Sequence, residues 1–193
     1  MGGIIADNVG RSSGLIKAVS VSAGLNLVHS TTSTSSVSSI SLDNIFTSDY
    51  DLYLIHGYNI THASASNGWA RVIKSDGSVD SGSNYQTVRH WANQAGTTGT
   101  NDYGVTENEI TLGYDVSTTG ITSFTGYMYN PQSTTYDKHF YGLCETTDAT
   151  NIRFLRWTGT YDVPGTAVRG LNYLASTGNV ENAEFRVYGL ATS

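Results

Sequence analysis

The longest run of alternating side-chain character in the chain is Tyr50–His62, YDLYLIHGYNITH. Successive side chains of an extended strand point to opposite faces. Leu52, Leu54, His56, Tyr58 and Ile60 therefore share one face, and Tyr53, Ile55, Gly57 and Asn59 share the other. The first set is mainly apolar and interrupted by His56; the second is mixed. The same period predicts strands at Ile40–Phe46, Trp69–Lys74, Asn84–Trp91, Glu107–Val116 and Ile121–Tyr129. Tyr136–Glu145, Ile152–Thr160, Val168–Ala175 and Glu184–Ala191 complete the series. Asp43-Asn44, Ser75-Asp76-Gly77, Asn130-Pro131 and Pro164-Gly165 supply turns between them. Gln94–Gly104, polar and without pattern, reads as a surface loop. No segment sustains a helical period. About nine or ten strands with regularly spaced turns predict an all-β fold, a β-sandwich of jelly-roll type.

Two stretches depart from this grammar. Residues 1–24 are rich in Gly, too glycine-rich for a stable helix and too sparsely apolar to form a core alone. They read as an extended N-terminal arm, with a short strand at Val19–Leu27, ahead of a sandwich domain at 25–193. The second stretch, Ser30–Ser39 (STTSTSSVSS), fits either an exposed linker or a strand edge with hydroxyls facing water.

Composition supports strands. Charged residues make up 13% of the 193, and Ser with Thr about a quarter. Helical surfaces ordinarily carry Glu, Lys and Arg, whereas β-branched hydroxyl residues suit the outer faces of sheets. The net charge of −6 disfavours a nucleic-acid partner, because phosphate binding needs clustered Lys and Arg. The single cysteine, Cys144, excludes an intrachain disulfide. No apolar run approaches the ~20 residues of a membrane span, and the N-terminus lacks the pattern of a secretory signal. Synthesis in a cytoplasm and no membrane insertion are the expectations.

Candidate chemistry is thin. Gly10–Gly14 matches G-x-S-x-G, but neither the buried strand before nor the helix after that a nucleophile elbow needs is present. His139 and Cys144 lie five residues apart, on opposite faces of one strand, so they do not form a thiolate–base pair. His56 and His62 share a parity but are roughly 20 Å apart along a strand, too far to hold one metal. Asp49 with Asp51, and Asp76 with Asp80, offer oxygen ligands for calcium, though turn formation explains them as well. Glu107 and Glu109 on one strand would point in parallel, as on a solvated face rather than across a glycosidase cleft. Asn59-Ile60-Thr61 is a glycosylation sequon inside a strand, which argues against its use. No cofactor, metal or catalytic residue is expected. Trp69, Trp91 and Trp157 fit a core or subunit interface, or a sugar-stacking platform. The second option makes Trp91, Asn93, Asn101 and Tyr103, in and beside the predicted loop, a candidate ligand or receptor surface.

Three stretches resemble small bacteriophage virion structural proteins. GGIIADNVGRSSGLIKA is similar to their N-terminal arms, SISLDNIFTSDYDLYLIHGYNIT to the strand–loop–strand signature of their jelly-roll modules, and ENAEFRVYGLAT to their closing strand. The likeness is to decoration, fibre and tail-associated proteins, especially of marine and cyanobacterial phages. It implies a non-enzymatic virion component, either a capsid decoration (cement) protein or a short tail-fibre protein facing a host glycan. It further implies a homotrimer or other multi-copy assembly on major capsid protein or tail and fibre subunits. In that setting the arm docks to the particle, and Ile4, Ile5, Val9, Arg11, Leu15, Ile16 and Lys17 are its candidate contacts.

Overall fold

The computed structural model describes residues 24–94, 102–116, 118–147 and 151–190. Among these residues there are twelve strands and no helix. They are β1 (Leu25–Ser33), β2 (Ser39–Leu42), β3 (Leu52–His62), β4 (Ser66–Lys74), β5 (Tyr85–Asn93) and β6 (Asp102–Glu107), followed by β7 (Ile110–Val116), β8 (Thr122–Tyr129), β9 (Lys138–Thr147), β10 (Ile152–Tyr161), β11 (Val168–Ala175) and β12 (Val180–Leu190). Two antiparallel sheets result, a large one in the order β1-β12-β3-β8-β9-β10-β5-β6 and a small one in the order β2-β11-β4-β7.

The sheets face each other in a sandwich-like arrangement around one apolar core. The large sheet contributes Tyr53, Ile55, Phe124, Met128, Phe140, Leu155, Trp157 and Phe185; the small one contributes Leu42, Val72, Ile110, Leu171 and Tyr173. Tyr173 spans the gap, with ring centroids 6.4 Å from Phe124 and 5.3 Å from Phe185. Each fully buried side chain of this size stabilises the fold by roughly 1.5–3 kcal/mol. Trp157 lies flat over β8 and β9 because Gly126 and Gly142 have no side chain there. A methyl group at either glycine would collide with the indole, at 2.8 Å in the case of Gly126.

The organising strand is inverted relative to its pattern. In β3 the buried side is Tyr53, Ile55 and Gly57, while Leu52, Leu54, His56 and Tyr58 face outward, half-exposed. At Asn59 the backbone turns left-handed (φ 53–55° is shared by few residues here, 54° at this one) and the register slips between Gly57 and Ile60. This β-bulge switches the parity, so Ile60 and His62 point inward. His56 and His62 thus lie on opposite faces, contrary to the parity expectation.

Other boundaries also move. Ser30–Ser33 belongs to the edge strand β1, paired to β12, which decides for the strand-edge reading of that part of the hydroxyl-rich stretch. The predicted loop ends earlier than Gly104, since β6 starts at Asp102. Glu107 and Glu109 do not share a strand; β6 ends at Glu107 and β7 begins at Ile110. Glu107 pairs with Arg89 and Glu109 with Arg71 instead. The predicted arm lies outside the described residues except for Gly24.

Candidate functional surface

Two buried polar clusters resemble chemical sites. At the start of β4, His62 Nδ1 is 2.8 Å from Ser66 Oγ and Nε2 is 3.0 Å from the Tyr173 hydroxyl. A serine beside a histidine suggests a nucleophile–base pair. Here, however, Ser66 Oγ donates to the Ser64 carbonyl at 3.0 Å, and His62 is 1% exposed. Burial pushes the imidazole down to about 4, so it is neutral in the fold. Ser66 is itself buried, and both ring nitrogens are occupied. The cluster is a structural knot.

At the other end of β4, Asp80 collects donors. The Tyr161 hydroxyl donates to Oδ2 at 2.6 Å, Gly82 N to Oδ1 at 2.8 Å, and Asn84 Nδ2 to both oxygens. Tyr85 donates to the Asp80 carbonyl at 2.9 Å. Burial alone would raise the Asp80 pKa, but the hydrogen bonds from Tyr161, Gly82 and Asn84 hold it below the ordinary value. Burial raises both tyrosines. Asp76, paired with Asp80 in the sequence as a possible source of oxygen ligands, accepts from Ser78 N and Oγ as a turn residue. Asp49 accepts from Thr47 Oγ1 at 3.0 Å. Among the described residues no three or more His, Cys, Asp and Glu side chains converge in a metal-holding group.

The residues singled out for ligand binding are dispersed. Trp91 stacks on Tyr114 (5.1 Å, 15° between planes) and packs against the core. Asn93 is half-buried in the β5–β10 register opposite Arg153. Tyr103 is 74% exposed on β6, opposite Val88, and so on the other face of the sheet from Trp91. Asn101 lies outside the described residues, as do Ile4, Ile5, Val9, Arg11, Leu15, Ile16, Lys17 and the Gly10–Gly14 motif. Cys144 is buried inward, where burial pushes its thiol up to about 11, while His139 faces outward. Asn59 of the sequon donates to Glu184 Oε1 at 2.6 Å.

What the fold does assemble is the outer face of the large sheet. The pairing registers align Leu27, Tyr188, Leu54, Tyr127, Tyr141, Thr158, Val88 and Tyr103 in one row that crosses all eight strands. A parallel row runs Leu25, Leu190, Leu52, Tyr129, His139, Thr160 and Gln86. Among the described residues, nine of the thirteen exposed large apolar side chains project from this face: Leu25, Leu27, Val88, Tyr103, Tyr129, Tyr141, Leu143, Ile152 and Phe154. Such a contiguous patch marks an interaction surface in a soluble protein. Arg186 lies 5.4 Å over the Tyr58 ring at one end of the face. Where Val88 and Thr158 stand side by side the face dips into a depression of about 270 Å³, walled by His90, Tyr141 and Arg156. The sequence carries a signal for this face. Tyr127/Tyr129, Tyr141/Leu143 and Tyr188/Leu190 are apolar on the parity that the core does not use, so both faces of these strands are apolar.

No protein-family profile, curated protein or solved structure matches this chain.

Proposed function

We propose that this chain is a non-enzymatic structural protein of a bacteriophage particle, a capsid decoration protein held to the shell through residues 1–24. The observation that carries the reading is the wide Leu- and Tyr-rich outer face of the large sheet, a surface built for contact with other protein rather than for chemistry. The arm, the early strand signature and the closing strand resemble those of such proteins, and the hydroxyl-rich, weakly charged exterior can be covered at low desolvation cost.

The strand orders support a jelly roll, the fold proposed here for the domain. A jelly roll lettered B to I makes one sheet B-I-D-G and another C-H-E-F. The small sheet, β2-β11-β4-β7, fits the first order, and β3, β10, β5 and β6 fit the second. The hairpin β8–β9 then sits between C and H, and β12 with β1 extends the outer edge beyond C. These four additional strands double the width of one sheet, and with it the open face.

The test is particle association. Deletion of residues 1–17 should leave a folded domain that no longer co-sediments with phage particles; undiminished co-sedimentation would overturn the proposal. Copy number per particle separates placements, since hundreds indicate a shell protein and a few dozen or fewer a tail or fibre component.

A second reading, a receptor-binding module of a short tail fibre, is favoured by the depression beside Val88. An aromatic wall (Tyr141), a floor of Val88 and Thr158, and the Arg156 guanidinium, which has no ion-pair partner among the described residues, suit a saccharide bearing a carboxylate. Host adsorption and glycan-array binding that survive Tyr141→Ala and Arg156→Gln would remove this reading.

A further inference from the structure

We infer that the outer face of the large sheet is covered by a second copy of this chain, the two sheets packing face to face about a two-fold axis. The inference rests on the proposal that this face is an assembly surface, and it names the occupant.

Three features select a second copy. The first is charge. The chain carries −6, so two copies repel through most approaches. The charged side chains projecting from this face are Arg156, Arg186, Glu145 and Glu184, two of each sign, with Asp162 at its rim beside Gln86. The face is close to neutral although the chain carries −6, so self-repulsion across it is small.

The second is area. Seven inter-strand spacings span about 34 Å, and four outward rows on each strand cover about 25 Å. Twist draws the outermost strands away, leaving on the order of 600–850 Å² in reach of a flat partner. Standard interfaces bury about 800 Å² per partner. A sheet packed on an identical sheet also repeats the aligned geometry by which sandwich cores form, with alternate rows of apolar side chains interdigitating.

The third is the position of two opposite charges. Arg156 on β10 is opposite Leu143, and Glu145 on β9 is opposite Phe154, so the two are diagonal neighbours on one face. Among the described residues, no ion pair or hydrogen bond joins either to its own chain. A two-fold axis parallel to the strands between β9 and β10 lays Arg156 of one copy over Leu143 of the other, one outward position along β9 from Glu145 and within side-chain reach of its carboxylate, and does so twice, as an isologous interface requires. Leu143 and Tyr141 then lie at the centre of the contact. The depression beside Val88 falls within the covered area, so this arrangement and saccharide capture there exclude each other.

The experiment is sedimentation velocity on the purified full chain from micromolar to millimolar concentration. It needs no particle, so its failure is distinct from failure of the virion assignment. The wild type should shift from monomer toward dimer as concentration rises. Leu143→Glu, exposed and therefore tolerable to the fold, should weaken dimerisation at least tenfold with circular dichroism and thermal midpoint unchanged. Ser41→Glu, on the outer side of the small sheet, should leave the dimer intact. Arg156→Glu and Glu145→Arg should each weaken it, and the double exchange should restore it. A wild type that stays monomeric, a trimer in place of a dimer, a dimer indifferent to Leu143→Glu, a dimer lost with Ser41→Glu, or a double exchange without rescue would each overturn the inference.

Discussion

β4 carries a buried polar knot at each end, and the two solve the same problem in opposite ways. At Ser66 the knot is built on a histidine that gives up its charge: His62 stays neutral and is held by two hydroxyl groups. At the far end the knot is built on a carboxylate that keeps its charge: Asp80 draws donors from Tyr161, Gly82 and Asn84. Burying a charge is costly unless it is hydrogen-bonded several times over. A histidine avoids that cost by deprotonating near neutral pH, while an aspartate would need a far larger shift to become neutral. The difference shows that site-like constellations inside this protein follow from the cost of burying polar groups. Both clusters close the core, and the surface available to a partner lies elsewhere, on the outside of the large sheet.

The largest expected effect comes from breaking the charged knot. Asp80→Ala leaves the hydroxyl of Tyr161 and the amide of Asn84 without their acceptor, each in or near the core. A loss of about 3–5 kcal/mol is expected, read as a fall in the urea midpoint at unchanged slope. A loss below about 1 kcal/mol would mean that water replaces the carboxylate and that the knot is not what holds this end.

Acid should then separate the two knots in order. The unfolded chain binds a proton at His62 below about pH 6.5, whereas the folded chain refuses it until about pH 4. Stability therefore falls as pH drops through that window, by up to about 3 kcal/mol from this group. Asp80, whose folded pKa lies below the ordinary value of 3.8, contributes stability that is lost only at still lower pH, as it protonates. Chemical denaturation at pH 7, 5 and 4 should show the first decline, and His62→Gln should flatten it. An unchanged slope in that variant would assign the decline to other groups.

The smallest effect marks the contrast with charges outside the core. Arg71 and Glu109 pair at 3.2 Å on the outer side of the small sheet, with side chains 24% and 13% exposed. Glu109→Gln should cost no more than about 1 kcal/mol and should respond to salt, as pairs in contact with water do. A larger, salt-independent cost would place this pair with the buried knots.

Parts of this architecture are legible in the residues and parts are not, for identifiable reasons. The alternation in Thr122–Tyr129 and Lys138–Thr147 marks strands because period two is a local property of extended backbone. Which parity is buried is harder to read when both are apolar. Leu52 and Leu54 look like core residues beside Tyr53 and Ile55, yet the tyrosine goes inside, its hydroxyl donating to the Thr47 carbonyl at 2.9 Å. The bulge at Asn59 then reverses the parity for His62, which no count of residues anticipates. Asp80 reads as a turn residue or cation ligand because its partner Tyr161 comes from a strand remote in the chain. The candidate face was present as apolar residues on the second parity of β3, β8, β9 and β12, but its continuity depends on those strands becoming neighbours.

The sequence by itself determined that this chain folds into strands, where most of them lie, and that its exterior is rich in hydroxyls and poor in charge. These follow from backbone stereochemistry and side-chain type, which act over a few residues. Only the tertiary structure decided which face of each strand is buried, how far the large sheet extends, and which polar groups meet inside. Those outcomes depend on pairings between distant segments. Burial is a property of what packs over a residue, and no residue carries that information alone.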